Sequence, residues 1–221
     1  AGLATATADR RRGGVMLWGG VDTCDLELRA GRGKSRRLRG RFPYGKRAIL
    51  SDGGKKGRPR KEVIEPRAFA YRVEKSDEDI HLLVGHSYDR PLASRGAGTL
   101  DLRDTDDALT FEAVIVPEIV DSPYGSDFLA GFIAGLITGI SPGFRIPPER
   151  TVPDAETVEE EDPQDGLALI RHIWAALLYE LSLVTVPAYK EASAEEIEAR
   201  SWTVTRGGLT VPANPLNRWR L

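Results

Sequence analysis

Ile80, Leu82 and Val84 alternate with His81, Leu83 and Gly85, a period of two that predicts a strand; carried on to His86, it points that imidazole toward the apolar face. Leu100 and Leu102, then Leu109, Phe111, Ala113 and Ile115, alternate on either side of Asp104 to Ala108, which predicts a hairpin with an acidic turn. Farther along, the period changes. Phe128, Phe132 and Leu136 form one ladder at four-residue spacing, and Leu129, Ile133 and Ile137 form a second beside it. They predict a helix that opens with Ser122 as cap and Pro123 at its first position and closes at Gly139. Gly131, Gly135 and Gly139 repeat as in closely paired membrane helices, but the apolar run falls short of the roughly twenty residues that cross a bilayer. A helix packed on a sheet is the expectation.

Ile140 to Ile146 reads as a turn into a strand, with Ser141 at the junction. Leu167 to Tyr189 is apolar apart from Arg171, His172 and Glu180, whose ionisable groups favour two strands over a membrane span. If Leu178 to Val186 is extended, Leu178, Glu180, Ser182, Val184 and Val186 share one face. A carboxylate then stands among core positions and needs a partner. Val15 to Leu28 has room for a short strand between glycines. The remaining segments lack periodicity: residues 1–14 are expected to be a mobile leader, 147–166 a flexible acidic loop, and 193–221 a short helix followed by a tail. One main unit, residues 15–192, lies between the two ends.

At 221 residues and 41% hydrophobic, the chain has enough apolar content for a single large core. The net charge of -2 conceals a segregation. Nine of the nineteen residues from Arg29 to Arg47 are Lys or Arg, a second basic cluster spans Lys55 to Lys61, and Asp154 to Asp165 holds no basic residue. Interleaved with Phe42 and Tyr44, the basic stretch suits contact with nucleic acid. Without a recognisable binding motif, a strand with a solvated basic face is the simpler reading. Cys24 is the only cysteine, which removes intrachain disulfides and thiolate zinc sites and fits a reducing, cytoplasmic setting. The first residues show no apolar segment of signal-peptide type, and neither metal, cofactor nor membrane contact is expected.

Gly139-Ile140-Ser141-Pro142-Gly143 has the spacing of the nucleophile elbow of α/β-hydrolase esterases, but the element order is reversed and Pro142 lacks the N–H that the elbow uses. A serine nucleophile needs a base for its proton, a group that orients the base, and donors for the oxyanion. Ser141, His86 and Glu180 are candidates for the nucleophile, the base and the orienting group.

Three separated blocks carry a resemblance. They are Leu83-Val84-Gly85-His86 with Arg90-Pro91-Leu92 and Gly98-Thr99-Leu100; Gly139 to Phe144; and Glu180 to Thr185 with Pro187-Ala188-Tyr189. Between Leu38 and Ala192 the chain resembles the prohead, or capsid-maturation, serine proteases of tailed bacteriophages and related prophages. The resemblance implies a β-dominated fold, a closed or nearly closed β-barrel with a few surrounding helices, similar to that of the herpesvirus assembly proteases. It implies His86 as general base and Ser141 as nucleophile of a serine endopeptidase that cuts scaffold and capsid-protein segments, and itself, inside an immature shell in the bacterial host. A homo-oligomer is compatible with it. Pro142 departs from the bulky residue common after the serine, so the Gly143 N–H becomes the oxyanion candidate. The acidic loop before Leu167 is longer than usual. Glu180 lies in the matching block and is favoured as third member; His172 is the alternative, because the herpesvirus enzymes use a second histidine. The runner-up from another class is a non-catalytic capsid component that contacts nucleic acid through residues 29–61.

Overall fold

The computed structural model describes residues 17–18, 26–54 and 57–187. The leader expected at 1–14 and the helix and tail expected at 193–221 lie outside them. Thirteen strands dominate the described residues. In chain order they are β1 (Leu17–Trp18), β2 (Glu27–Ala30), β3 (Arg36–Pro43), β4 (Arg47–Ser51), β5 (Arg60–Ile64), β6 (His81–Val84), β7 (Ser87–Ser94), β8 (Leu100–Asp104), β9 (Ala108–Ile115), β10 (Gly139–Arg145), β11 (Glu156–Glu160), β12 (Leu169–Ile173) and β13 (Leu177–Val184). Among the described residues, helical structure is limited to a π-helical turn at Tyr71–Lys75 and to α1 (Pro117–Val120) and α2 (Pro123–Ile133).

The strands form three open sheets, ordered β1-β10-β13-β6-β7, β11-β12-β5-β4 and β2-β3-β9-β8. The closed barrel expected from the sequence is therefore replaced by packed sheets. Closure needs every strand paired on both edges, whereas β1, β7, β11, β4, β2 and β8 are each paired on one edge alone among the described residues. The sheets bury their apolar faces against one another instead. Leu38, Phe42 and Phe111 from one sheet share a core with Ile140, Phe144 and Leu181 from another. Gly40 marks a close approach: a Cβ there would lie 2.3 Å from the ring of its strand partner Phe111 and 2.8 Å from Ile140 Cδ1 of the other sheet.

The hairpin of β8 and β9 has the predicted acidic turn, and the two strands expected between Leu167 and Tyr189 are β12 and β13. The α2 start is also as expected, with Ser122 Oγ accepting the Gly125 N–H at 3.2 Å and Pro123 in the first turn. Its end is not. Gly135 takes φ +71°, the Leu136 N–H bonds the Gly131 carbonyl, and the Gly135 N–H bonds that of Phe132, a Schellman closure that stops the helix early. Gly139 accordingly begins β10 instead of ending α2, and Ser141 lies within a strand. Part of the 147–166 segment is likewise no loop, because Glu156–Glu160 pair along β12.

Candidate active site

β10 and β13 run antiparallel in the middle of the first sheet, with Ser141 opposite Ser182 and Gly143 opposite Glu180. On its other edge β13 runs parallel to β6, pairing Glu180 with His81 and Leu183 with Val84. β6 therefore delivers its C-terminal end beside Ser182. There Gly85 and His86, both at φ +61°, form a two-residue turn closed by the Val84–Ser87 pair. Positive φ at both central residues matches the right-handed twist of the hairpin, and for a histidine it costs about 1–2 kcal/mol. The strand expected to carry His86 toward the core thus ends two residues earlier.

Two hydrogen bonds from the turn to β13 hold this conformation: the Gly85 N–H donates to the Leu183 carbonyl at 3.1 Å, and the His86 N–H to Ser182 Oγ at 2.8 Å. Ser182 in turn donates to Glu180 Oε2 at 2.7 Å, while Glu180 Oε1 accepts from His86 Nδ1 at 2.7 Å. Both carboxylate oxygens are engaged, as burial requires, since Glu180 is only 1% exposed. With Nδ1–H spent on the carboxylate, Nε2 of the neutral ring is the acceptor nitrogen. Ser141 is also buried, at 3% exposure, and faces the serine that anchors the His86 backbone.

Gly143 has a steric role that its sequence position does not reveal. A Cβ at 143 would sit 2.1 Å from Glu180 Oε1 and 2.7 Å from its Cδ. Only glycine leaves room for the carboxylate. Its backbone lies between Glu180 on one side and Trp18 of β1 on the other.

The sequence-predicted residues do not all converge. His86, Ser141, Gly143 and Glu180 meet on the first sheet, whereas His172 lies on β12 in another. His172 Nδ1 donates to Glu65 at 2.6 Å, and its ring stacks on Trp174 with centroids 6.0 Å apart. No arginine pairs with Glu180 among the described residues: Arg171 pairs with Glu62 and Glu156, and Arg145 approaches the Tyr179 ring. Sequence reasoning passed over Ser182, whose only signal was the face it shares with Glu180. Tyr88 also lies within the field of the site. Partial desolvation of this half-exposed ring, and then the charge of Glu180, hold its phenol above the ordinary range. Among the described residues, no three His, Cys, Asp or Glu side chains are grouped to hold a metal.

The Gly139–Gly143 run spans the inside of a strand, not a strand-to-helix turn, so the esterase elbow does not apply. A buried carboxylate on one imidazole nitrogen, beside a buried serine, is the donor set of serine-type hydrolases. The chain belongs to the caudovirus prohead serine protease family, whose model matches residues 53–206. No curated protein and no solved structure matches the chain. Membership makes it a phage-type protease of capsid maturation. No helix among the described residues is long and apolar enough to cross a membrane.

Proposed function

We propose that the chain is a serine endopeptidase that cuts scaffold and capsid-protein segments, with Ser141 as nucleophile, His86 as general base and Glu180 as the group that orients it. The observation that carries this reading is the 2.7 Å bond from His86 Nδ1 to the buried Glu180, on the strand paired with that of Ser141. Holding the proton on Nδ1 leaves Nε2 to accept the Ser141 proton as Oγ attacks the scissile carbonyl. Glu180 stabilises the imidazolium that results, which then protonates the leaving amine; water hydrolyses the acyl-enzyme by the same exchange. Pro142 has no N–H, so Gly143 is the candidate oxyanion donor on β10. The same proposal includes action inside the immature capsid in the host, self-cleavage, assembly into a homo-oligomer, and the fold likeness to herpesvirus assembly proteases.

The runner-up, a nucleic-acid-contacting capsid component, finds little support in the basic stretch. Arg29, Arg39, Arg47 and Lys61 face Glu27, Glu112 and, for the last two, Glu161.

Co-expression with the neighbouring capsid gene product, followed by intact-mass measurement, tests the proposal. Wild type should yield shortened capsid protein and trimmed protease, and Ser141→Ala neither, with its fold retained because a small hydroxyl is lost from a strand. Normal processing by Ser141→Ala would refute the assignment.

A further inference from the structure

Beside the candidate site lies a cavity of about 550 Å³, lined among others by Arg67, Tyr71, Arg72, Pro148, Leu177 and Tyr179. The cavity reaches β13 at a bulge next to Glu180. Gly143 pairs with Glu180 and Phe144 with Leu178, so Tyr179 is left without a partner in the ladder. Two guanidiniums flank its ring, Arg72 at 4.3 Å from the centroid and Arg145 at 5.2 Å. Arg145 follows Ser141 and Gly143 at two-residue steps and shares their face of β10.

The arginines that line this cavity are paired, whereas Arg145, which reaches the Tyr179 ring from outside the lining, is not. Arg67 pairs with Glu74 at 2.7 Å, and Arg72, only 2% exposed, pairs with the exposed Glu78. Arg145 meets no carboxylate among the described residues, and its buried Nε, like that of Arg72, has no hydrogen-bond partner. A half-buried guanidinium stacked on an aromatic ring, without a counterion, is suited to take a carboxylate through two parallel N–H bonds.

Resting on the protease reading above, we infer that an acidic side chain of the substrate polypeptide binds beside the Tyr179 ring at the edge of this cavity, with Arg145, which stands just outside the cavity lining, as its counterion. Four residues of strand separate Ser141 from Arg145, roughly 13 Å at about 3.3 Å per residue. The arginine side chain covers part of that span. The acidic residue therefore lies within about three positions of the scissile bond in an extended substrate.

The test exposes the full chain to a library of peptides from a digested proteome and reads the new termini by mass spectrometry. Wild type, Arg145→Gln, Arg145→Lys and Ser141→Ala are compared, and a matched Glu/Gln peptide pair then gives kcat/KM ratios. Wild type should cut with Asp or Glu enriched at one fixed position within three residues of the bond. It should prefer the Glu peptide by about ten- to a hundredfold, the range of a hydrogen bond to a charged group. In Arg145→Gln that ratio should fall toward one, and Arg145→Lys should keep part of it, while thermal unfolding reports whether each variant is folded. Cutting without acidic enrichment, or a ratio unchanged in Arg145→Gln, overturns the inference and leaves the protease reading standing. No Ser141-dependent cutting at all refutes the protease reading, and the inference with it.

Discussion

Replacing Gly143 by alanine adds one methyl group at the most crowded point of the candidate site. The new Cβ would lie 2.1 Å from Glu180 Oε1, whereas an ordinary carbon–oxygen contact is about 3.3 Å or more. The carboxylate must retreat by about 1 Å or β10 must move away. Retreat stretches the bonds to His86 Nδ1 and Ser182 Oγ, each 2.7 Å, to about 3.7 Å, beyond hydrogen-bonding range. Each bond to a charged group is worth about 1.5–3 kcal/mol. The backbone entropy gained by replacing a strand glycine, about 0.5–1 kcal/mol, is too small to offset both. Gly143→Ala should therefore lower the melting temperature by on the order of 5–10 °C and slow capsid cleavage by about two to four decades, since the imidazole loses its orienting partner. The alanine retains its N–H, so the loss cannot come from a deleted oxyanion donor. Combining it with Glu180→Ala isolates the cause: with the carboxylate gone, Gly143→Ala should cost little more. Normal cleavage by the single variant, or an equally large added cost in the Glu180→Ala background, would refute the steric account.

Glu180→Gln should reduce cleavage by several decades with a smaller change in melting temperature, because the amide disturbs the tautomer of His86. His172→Ala, which loses the Glu65 bond on a different sheet, should stay within about tenfold of wild type; the opposite pattern would make the site a serine with two histidines. Tyr44→Phe should destabilise the fold by about 1–3 kcal/mol at neutral pH in urea unfolding, since Tyr44 donates to the buried Asp104 at 2.6 Å. Burial holds the Asp104 carboxyl above its ordinary value despite that bond. The folded state therefore binds the proton more readily than the unfolded chain, and the group's contribution to stability falls as pH rises through the raised value. Removing the phenol raises it further, so the deficit should shrink as pH drops and Asp104 is protonated; a deficit independent of pH would contradict this.

The roles of Ser141 and His86 came from the resemblance of their sequence blocks to the prohead proteases, whereas period-two alternation marked β6, β8, β9 and β13, because side-chain alternation is a local property that any extended segment displays. The carboxylate among apolar positions on the last strand announced its need for a partner in the same way. Which strands become neighbours is a non-local matter. Alternation shows which face is apolar but not what covers it, so three packed sheets could not be told from a closed barrel. His86 looked like the next residue of a strand, yet only the pairing of β6 with β13 decides that the chain turns at Gly85 and that Ser182 secures the turn. The need for glycine at 143 depends on the Glu180 carboxylate opposite it, 37 residues along the chain. In sequence Arg145 stood out only as a possible partner for Glu180, and Tyr179 not at all, since an arginine and a tyrosine on strands are ordinary there. The β13 bulge and the stacking of Arg145 on Tyr179 bring the two together, and both arise only when distant segments pack together.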